Sequence, residues 1–587
     1  MNNQKKIPIF YACDNNFVKF TVVSLVSMIE NASKEYQYEV HVLHTDITPE
    51  TQELMYRLQN ENFTVIFDDV TDYLESIKEM MPIRDYYSKT TYYRLFIAEM
   101  FPELEKAIYI DSDTVVPGDI SEFYEFDIKN YDLGACHEQA MVQEDVYGTY
   151  VEVCMGIDRN AFFNAGVLLI NCRRFRESKV LERFIKLLGV YNFTVTQDED
   201  YLNVICKDHV RFLPQSWNME VFGDIPETPE GMNVVHYIMV AKPWHFHECR
   251  WKELFWEYAA KTEVYDEIKK ILDDYTDEQR AKDMASCDRL AQMAREETNR
   301  TDTYVARMRT KQDQGRVEIL NKIAQYEREG VFDKDVEEDP PSREIQPDEV
   351  DYLGKKLSSK INTKIAFGMA RRFLNKIINE KQMIVTDIVG KENIMGLDSG
   401  AIITCNHFNA FDSFAIQLVY EHSGHKKHRK FYRVIKEGNY TSFPGFYGYL
   451  MRHCNTLPLS SSPKAMQQFT RSTGKLLQDG HFVLIYPEQS MWWNYRKPKP
   501  LKDGGFYLAA KYKVPVLPCF IVQRDSTVMG PDGFPVQEYT IHIGKPIYPE
   551  EGATVSANTA TMREENFRIW KEIYEEAYGM PLRYLHK

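Results

Sequence analysis

The feature that most constrains this chain is an alternation of short apolar runs with helical stretches, which occurs twice. In the first 116 residues the runs IPIFYACD, YEVHVLHTD, FTVIFDD and KAIYIDSD are typical of strands, and apolar residues at helical spacing fill the intervals between them. From residue 401 the alternation returns with AIITC, HFVLIYPE and VPVLPCFIV. Strands separated by helices favour a mostly parallel sheet with crossover connections. The sequence therefore predicts an α/β protein with two α/β domains.

The residues between the two alternations have a different composition. Residues 262–328 contain little glycine, few apolar residues and much charge, which predicts exposed or loosely packed helices, one of them capped by Thr276 and Gln279. Residues 333–350 are acidic and contain proline, as linkers often do. The predicted boundaries are an N-terminal domain over 1–260, a helical connector with an acidic linker over 261–350, and a C-terminal domain over 351–587.

Charge, cysteine usage and hydropathy exclude several classes of protein. The net charge of −16 argues against nucleic acid as a partner. The ten cysteines show no C-x-x-C spacing, which argues for reduced thiols in the cytoplasm rather than for disulfides or zinc. The chain starts without the apolar core of a secretion signal, and no apolar run reaches the roughly 18 residues of a membrane span. We therefore expect a cytoplasmic protein that touches the inner face of the cell membrane, if at all, only peripherally.

Two basic stretches of the C-terminal half are candidates for such a contact. Residues 355–378 place apolar residues at every fourth position and lysine or arginine over most of the rest, which is typical of an amphipathic helix. Such a helix either packs on the domain that follows or lies on a membrane surface, and the sequence leaves both open. HKKHRKFYR, residues 425–433, could attract an anionic donor or lipid, or could be a solvated loop.

A pair of carboxylates ends one strand of the first alternation. Asp111 and Asp113 follow the apolar run AIYI. Two aspartates one residue apart at a strand end can both reach one divalent cation. Such a cation can bridge a diphosphate and stabilise the negative charge of a leaving group. Acidic turns after strands are common, so these three residues alone do not establish a metal site.

The neighbouring segments make the pattern more specific. FYACDNNF, KTTYYRLFIAEMF, AIYIDSDTVV, FFNAGVLLIN, QDEDYLN and HYIMVAKPWH occur in this order between about residues 7 and 250. Together they resemble the family-8 glycosyltransferases, the group of glycogenin and the lipopolysaccharide galactosyltransferases. The resemblance implies a nucleotide-sugar glycosyltransferase fold, a UDP-sugar as the usual donor, a glycan or lipid acceptor, and a retaining transfer assisted by Mn²⁺ or Mg²⁺.

The resemblance also implies roles for residues of this chain. Asp111, Asp113 and His236 would hold the metal, and a nitrogen ligand beside carboxylates suits Mn²⁺ better than Ca²⁺. The expected donor-binding residues are Asp14 and Asn16 for the nucleotide, Arg94 and Lys242 for the diphosphate, and Asn164, Glu138 and Asp198 for the sugar.

Two positions depart from the pattern of this family. Glu199 stands where the family often has glutamine. A carboxylate there could act in catalysis by stabilising positive charge at the anomeric carbon, or it could change the sugar preference. Met239 stands where the family favours glycine close to a phosphate, which puts the affinity for the donor in question.

A histidine and an aspartate follow the first strand of the second alternation. His407 can take a proton from an attacking hydroxyl if a carboxylate such as Asp412 fixes its other ring nitrogen. The spacing alone is weak, but CNHFNAFDSF, HFVLIYPEQSMW and KVPVLPCFIV resemble three blocks of the glycerolipid acyltransferases, the 1-acylglycerol-3-phosphate acyltransferase group, over about residues 355–560. The resemblance implies an acyltransferase fold, His407, Asp412 and Glu488 as the catalytic set, and acyl-CoA or acyl carrier protein as the acyl donor. Cys405 is then a strand thiol rather than a nucleophile.

The acyltransferase-like blocks also depart from their family. Gln489, Ser490 and Met491 replace the glycine, threonine and arginine that usually follow the glutamate, and HCNTLPLSSS lacks a second arginine. Those arginines grip the phosphate of the acceptor in the family. Their absence predicts an acceptor without that phosphate, or one held by Arg496 and Lys497 instead.

Two clusters of this kind in one chain predict a bifunctional transferase, most simply one that makes an acylated glycan or glycolipid of a bacterial envelope. Two alternatives stay open at this point. Only one domain could be active while the other binds, or the chain could be a peripheral-membrane scaffold without activity.

Overall fold

The structure is a computed structural model that describes residues 5–77, 89–338 and 342–585. Residues 339–341 of the predicted linker lie outside the described residues. The chain forms two compact units, residues 1–308 and residues 309–587.

Ten strands lie in the described residues of the first unit. They are β1 (Lys6–Ala12), β2 (Gln37–His44), β3 (Phe63–Asp69), β4 (Ala107–Ile110), β5 (Thr114–Val115), β6 (Leu133–His137), β7 (Phe163–Ile170), β8 (Val210–Phe212), β9 (Met219–Glu220) and β10 (Val235–His236). Seven of them form one sheet in the order β3-β2-β1-β4-β7-β6-β8, with β1 to β4 parallel and β7 antiparallel to both of its neighbours. The small sheet β5-β10-β9 lies beyond the end of β4 in the chain.

Most helices of the first unit lie between these strands, and the last four follow β10. They are α1 (Val18–Asn31), α2 (Pro49–Tyr56), α3 (Thr71–Ile77), α4 (Ile97–Met100), α5 (Ile120–Glu125), α6 (Gln139–Gln143), α7 (Asp145–Tyr150), α8 (Cys172–Glu177), α9 (Val180–Leu188), α10 (Asp198–Cys206), α11 (Lys252–Ala259), α12 (Tyr265–Asp273), α13 (Asp277–Thr298) and α14 (Tyr304–Arg309). The segment TTYYRLFIAEMF lies in the interval before β4, where the sequence predicts a helix; it forms a 3₁₀ segment, Lys89–Leu95, followed by the short α4.

The central strands of the first sheet are buried on both faces. All eight residues of β7 and all four of β4 are buried. Since β1 and β4 are neighbouring parallel strands, the residues that follow them meet at one edge of the sheet. That edge is where Asp14 and Asp111 lie.

Seven strands form the sheet of the second unit. They are β11 (Ile384–Val389), β12 (Ala401–Thr404), β13 (Phe431–Ile435), β14 (Thr456–Pro458), β15 (Phe482–Ile485), β16 (Val516–Met529) and β17 (Pro535–Ile543). Their order is β11-β17-β16-β12-β15-β13-β14, with β12 to β16 parallel and β17 antiparallel to β16.

The helices of the second unit follow the same alternation. They are α15 (Gln314–Glu329), α16 (Leu357–Asn379), α17 (Lys391–Met395), α18 (Asp412–His422), α19 (Glu437–Thr441), α20 (Gly445–His453), α21 (Pro463–Gln478), α22 (Gly504–Tyr512) and α23 (Val555–Tyr578). The predicted fold class, two α/β domains, is confirmed. Among the described helices none combines the length and apolar character that would let it cross a membrane.

The residues of the predicted connector are divided between the two units. Helix α13 starts with the predicted capping box of Thr276 and Gln279 and packs against α7 in the first unit. In the second unit α15 packs on Trp492 through Ile323. Both helices therefore contribute to a unit.

The basic amphipathic helix is α16, and only part of its apolar stripe is covered. Leu374 and Ile377 are buried in the core of the second unit. Leu357, Ile361 and Ile365, nearer the start of the helix, are 73%, 52% and 50% exposed. Of the other basic stretch, Phe431 to Arg433 form part of β13.

Candidate active sites

The first site is built around three side chains at the edge of the first sheet. Asp111 and Asp113 follow β4, and the pairing of β10 with β5 places His236 opposite Thr114. His236 Nε2 lies 3.1 Å from Asp113 Oδ1 and 4.0 Å from Asp111 Oδ2. Ligand atoms of the three residues all lie within 4.8 Å of one another. Two carboxylates and one imidazole at this separation are a donor set that suits a divalent cation such as Mn²⁺.

Neighbouring groups hold these donors in place. Asn218 Oδ1 lies 3.0 Å from His236 Nδ1, so Nδ1–H donates to it and Nε2 keeps its lone pair toward the carboxylates. A Cβ atom at Gly166 would lie 2.3 Å from His236 Cε1 and 2.7 Å from Asp111 Oδ2. Glycine is therefore required there for the histidine and the aspartate to approach each other.

A lysine and an arginine balance the charge of the carboxylates. Lys242 Nζ pairs with Asp113. Burial by itself would raise the pKa of Asp113, but Lys242 and His236 outweigh it and hold that pKa well below its usual range. Arg94 is 5% exposed and bridges Asp111 at 3.2 Å and Asp198 at 3.1 Å. Arg94 is thus a buried cation that joins the carboxylates of Asp111 and Asp198.

The residues expected to bind the sugar lie together in a buried network. Asn164 donates to Glu138, and its Oδ1 accepts from the Gly166 N–H and the Asn218 side chain, both at 2.8 Å. Glu199 Oε2 accepts from the Ala165 N–H at 2.8 Å. Burial raises the pKa of Asp198 to about 7. Burial, followed by repulsion from Glu138, raises the pKa of Glu199 well above its usual value.

The residues expected to meet the nucleotide follow β1. Asp14 Oδ1 accepts from the N–H groups of Asn16 and Phe17, at 2.9 and 3.0 Å, in a turn before α1. Asn16 is exposed at this edge of the sheet. Met239, where glycine was expected, has a φ of +56°.

Two further residues of this site carried no recognisable signal in the sequence. Asn218 orients His236 as described, and Glu220 is fully buried, with Oε2 accepting from the Gln139 N–H at 2.9 Å. Burial raises the pKa of Glu220 well above its usual value. Both belong to the region of β9, which becomes part of the site only through its pairing with β10.

The second site lies where β12 ends. His407 Nδ1 is 2.7 Å from Asp412 Oδ2, and Asp412 is the first residue of α18. Tyr486 donates its hydroxyl to Asp412 Oδ1 at 2.7 Å, and its ring stacks on the imidazole. Because Nδ1–H donates to a carboxylate, Nε2 is the acceptor nitrogen, which is the tautomer that a general base needs.

Glu488 supports this histidine through the backbone. Its Oε2 accepts from the His407 N–H at 3.0 Å and its Oε1 from the Lys499 N–H at 2.8 Å. Glu488 is 2% exposed, and burial raises its pKa. Its contacts position the turn that carries His407, and it is not among the residues that line the neighbouring cavity.

Lys499 was not singled out from the sequence. It is fully buried, and its Nζ donates to Ser490 O at 2.6 Å and lies 3.7 Å from Glu488 Oε2. Burial lowers the pKa of Lys499 to about 8. Cys405 is also fully buried, and burial raises the pKa of its thiol well above the usual value, as expected of a strand thiol.

A cavity of about 940 Å³ adjoins this second site. His407, Asp412 and Met491 line it together with apolar side chains of α16, α20 and α21, among them Phe367, Leu450 and Phe469. Arg496 pairs with Asp525 and Lys497 with Glu327, both at 2.7 Å. Neither cation is among the residues that line the cavity, so the structure does not support the alternative that they hold a phosphate there.

Both halves of the chain match known families. Residues 8–248 match the glycosyl transferase family 8, and residues 385–522 match an acyltransferase family. Residues 8–248 are thus similar to the family-8 glycosyltransferases and residues 385–522 to the acyltransferases, and the two parts are called the family-8 domain and the acyltransferase domain below.

The curated relatives match the family-8 domain. A predicted glycosyltransferase of Haemophilus influenzae is 30% identical over 217 residues, 36% of this chain and 62% of that protein. General stress protein A of Bacillus subtilis is 24% identical over 45% of this chain and 96% of its own length. A lipopolysaccharide 1,2-glucosyltransferase of Escherichia coli is 24% identical over 42% of this chain and 75% of its own length. The chain thus spans less than two thirds of the first of these relatives.

Solved structures similar to the chain include two glycosyltransferases. The bifunctional glycosyltransferase WbbM has a TM-score of 0.40 at 22% identity, over 46% of this chain and 52% of WbbM. The galactosyltransferase LgtC, in complex with donor and acceptor sugar analogues, has a TM-score of 0.38 at 24% identity, over 45% of this chain and 100% of LgtC.

Proposed function

We propose that this chain is a bifunctional transferase that moves a sugar from a UDP-sugar in the family-8 domain and an acyl group from a thioester in the acyltransferase domain. The proposal is supported by the position of each side-chain set at the carboxyl ends of parallel strands. The acceptor of the sugar is a glycan or lipid, and the acceptor of the acyl group is a hydroxyl group. The union of both chemistries in one chain favours a bacterial acylated glycan or glycolipid as the product.

For sugar transfer, Asp111, Asp113 and His236 would hold a divalent cation such as Mn²⁺, which would supply positive charge to stabilise the leaving nucleotide. The positive charge of Lys242 would also offset the negative charge of the leaving diphosphate. Asn218 keeps the Nε2 lone pair of His236 toward the carboxylates, and Arg94 holds Asp111 and Asp198 together. The buried Glu138 and Asn164, which are hydrogen-bonded to each other, would bind hydroxyl groups of the sugar.

The test of sugar transfer is the replacement Asp113→Asn, which keeps the volume and removes one negative charge from the metal site. We expect Mn²⁺-dependent hydrolysis and transfer of UDP-sugars to fall by several orders of magnitude. The exposed Asp127→Asn is the matched control and should leave the rate unchanged. Full activity of the unaltered protein in EDTA would contradict the proposal.

For acyl transfer, His407 Nε2 takes the proton of the acceptor hydroxyl, and the oxygen attacks the carbonyl carbon of the thioester. The tetrahedral intermediate then loses the thiolate, which takes the proton back from the imidazolium. Asp412 holds the imidazole through Nδ1–H and stabilises its charged form, and Tyr486 holds Asp412. The product is an ester, and the leaving group is free CoA or the carrier's thiol.

The test of acyl transfer is His407→Ala, assayed by thiol release from acyl-CoA and acyl carrier protein with lipid-extract acceptors. Loss of the general base should slow the reaction by about 10²–10⁴-fold and leave sugar transfer intact. His422→Ala is the control, since His422 is exposed at the end of α18. Unchanged acylation in the His407 variant would rule out this mechanism.

We also propose that the protein works in the cytoplasm on the inner face of the membrane, bound through the first half of α16. The exposed Leu357, Ile361 and Ile365 support this proposal, because they lie beside the exposed Lys360 and Lys364. An apolar stripe beside lysines suits an anionic lipid surface.

A further inference from the structure

A short acidic segment, residues 332–338, is attached to the acyltransferase domain beside its cavity. Ser490 Oγ donates to Phe332 O and Trp492 Nε1 donates to Lys334 O, both at 2.8 Å. Val336 is 4% exposed and packs with the fully buried Trp492. The segment is thus held by two side-chain hydrogen bonds to its backbone carbonyl oxygens and by apolar packing.

One of the residues that hold the segment, Ser490, is also one of the three that depart from the acyltransferase pattern. Ser490 and Trp492 flank Met491, which occupies the position of the family's arginine. The two flanking side chains bind the segment, while Met491 lines the cavity. Ser490 and Trp492 therefore hold the acidic segment beside the cavity that Met491 lines.

The segment places carboxylates on the cavity that Met491 lines in place of the family's arginine. Asp335, Glu337 and Glu338 all line the cavity that contains His407. Asp335 Oδ2 pairs with Lys436 Nζ at 2.8 Å, and Lys436 lines the same cavity. Lys436 is thus already engaged by a carboxylate of the chain.

The three other cations among the described residues of the cavity wall also have partners within the protein; the first, Arg371, pairs with Glu421 at 3.0 Å. Lys502 Nζ pairs with Asp333 Oδ2 of the acidic segment at 3.1 Å. Arg433 donates to the Gln417 side chain and, at 3.3 Å, to Cys454 O. A phosphate that entered this cavity would have to compete with these partners.

We propose that the acidic segment is the acceptor-side wall of the acyl-transfer cavity, and that it selects acceptors with a neutral, hydroxyl-rich head group, such as a sugar, over acceptors with a phosphate. A phosphate dianion beside Asp335 meets charge repulsion from its carboxylate. A sugar hydroxyl can donate to Asp335 and accept from Lys436 without breaking their pair. This inference rests on the acyl transfer proposed above.

The test compares two ligands with the same eight-carbon chain, octyl glucoside and octyl phosphate, by isothermal titration calorimetry below their micelle concentrations. The unaltered protein should bind octyl glucoside at least about tenfold more tightly. Asp335→Asn removes the repulsion and frees Lys436, so octyl phosphate should gain about tenfold while octyl glucoside changes little. Glu329→Gln makes the same change of net charge outside the cavity and should alter neither affinity.

The outcomes separate this inference from the proposed reaction. Tighter binding of octyl phosphate by the unaltered protein, or equal gains for both ligands in Asp335→Asn, would overturn the inference. Acylation of lysophosphatidic acid in preference to glycosylated lipids would overturn it as well, while leaving acyl transfer established. Preference for octyl glucoside without thiol release on any acceptor would support the wall and contradict the reaction. Lys436→Gln gives a second variant, in which the preference for octyl glucoside should persist.

Discussion

At the scale of single residues, two of the side chains with a left-handed backbone stand where the resemblances predicted glycine. Met239 and Gln489 have φ angles of +56° and +66°, and both occupy positions where the resemblances predicted glycine. The left-handed conformation costs an ordinary residue about 1–2 kcal/mol. Each site therefore keeps the backbone geometry expected of glycine while it carries a longer side chain. At Gln489 the following residue, Ser490, binds the acidic segment.

Replacing Gln489 by glycine should stabilise the acyltransferase domain. The side chain is exposed, so the change acts mainly through φ and should gain about 1 kcal/mol. Differential scanning calorimetry should show this domain's transition about 2–4 °C higher. Gln325→Gly in α15 is the matched control and should lower the transition, because there the backbone is helical. A fall in both variants would show that Gln489 is not strained.

Local spacing indicated His407 with Asp412, and Asp111 with Asp113, because in each pair both side chains stand at the end of one strand. It could not indicate Asn218, Glu220 or Lys499. Each of these becomes part of a site through a contact distant in sequence, such as the 18 residues between Asn218 and His236. No periodicity marks such a residue.

At the scale of elements, apolar runs predicted the central strands well, because burial on both faces leaves little room for other residues. The same patterns predicted the segments beside the central strands less well. The segment before β4 has the composition of a helix, yet Arg94 within it turns inward to Asp111 and Asp198. A buried ion pair of this kind overrides local helix propensity.

Helix α16 leads to a prediction at this scale. Ile361→Asp with Ile365→Asp places two charges on its exposed apolar stripe, so binding to vesicles with anionic lipid should fall at least about tenfold. The measurement is co-sedimentation with vesicles of phosphatidylglycerol and phosphatidylcholine, compared with phosphatidylcholine alone. Met395→Asp is the control, since Met395 is also exposed, at 55%, but lies in α17. Equal binding of all variants would exclude α16 as the contact.

At the scale of the whole molecule, the chain divides between residues 308 and 309, within the segment that composition predicted to be a connector. Composition indicated low apolar content there, and α13 indeed buries only Ala294. A few apolar side chains are nevertheless enough to attach each helix to a unit. Charge density therefore shows that a segment is mostly solvated, but it does not show where a domain ends.

This division predicts how fragments of the chain will behave. A fragment of residues 309–587 keeps α15 and the acidic segment, so its thermal transition should match that of the same domain in the whole chain. A fragment of residues 351–587 loses them. It exposes Trp492, which is otherwise fully buried, and it removes Glu327 from Lys497 and Asp335 from Lys436.

Exposing one such aromatic side chain costs about 3 kcal/mol. We therefore expect the transition of fragment 351–587 to lie at least about 6 °C below that of fragment 309–587 in calorimetry. Thiol release should be retained in the longer fragment, because its catalytic residues and cavity wall are complete. The shorter fragment lacks the acidic wall, so whatever acylation it retains should discriminate less against lysophosphatidic acid. Equal transition temperatures and equal acceptor preference in the two fragments would show that residues 309–350 are a linker after all.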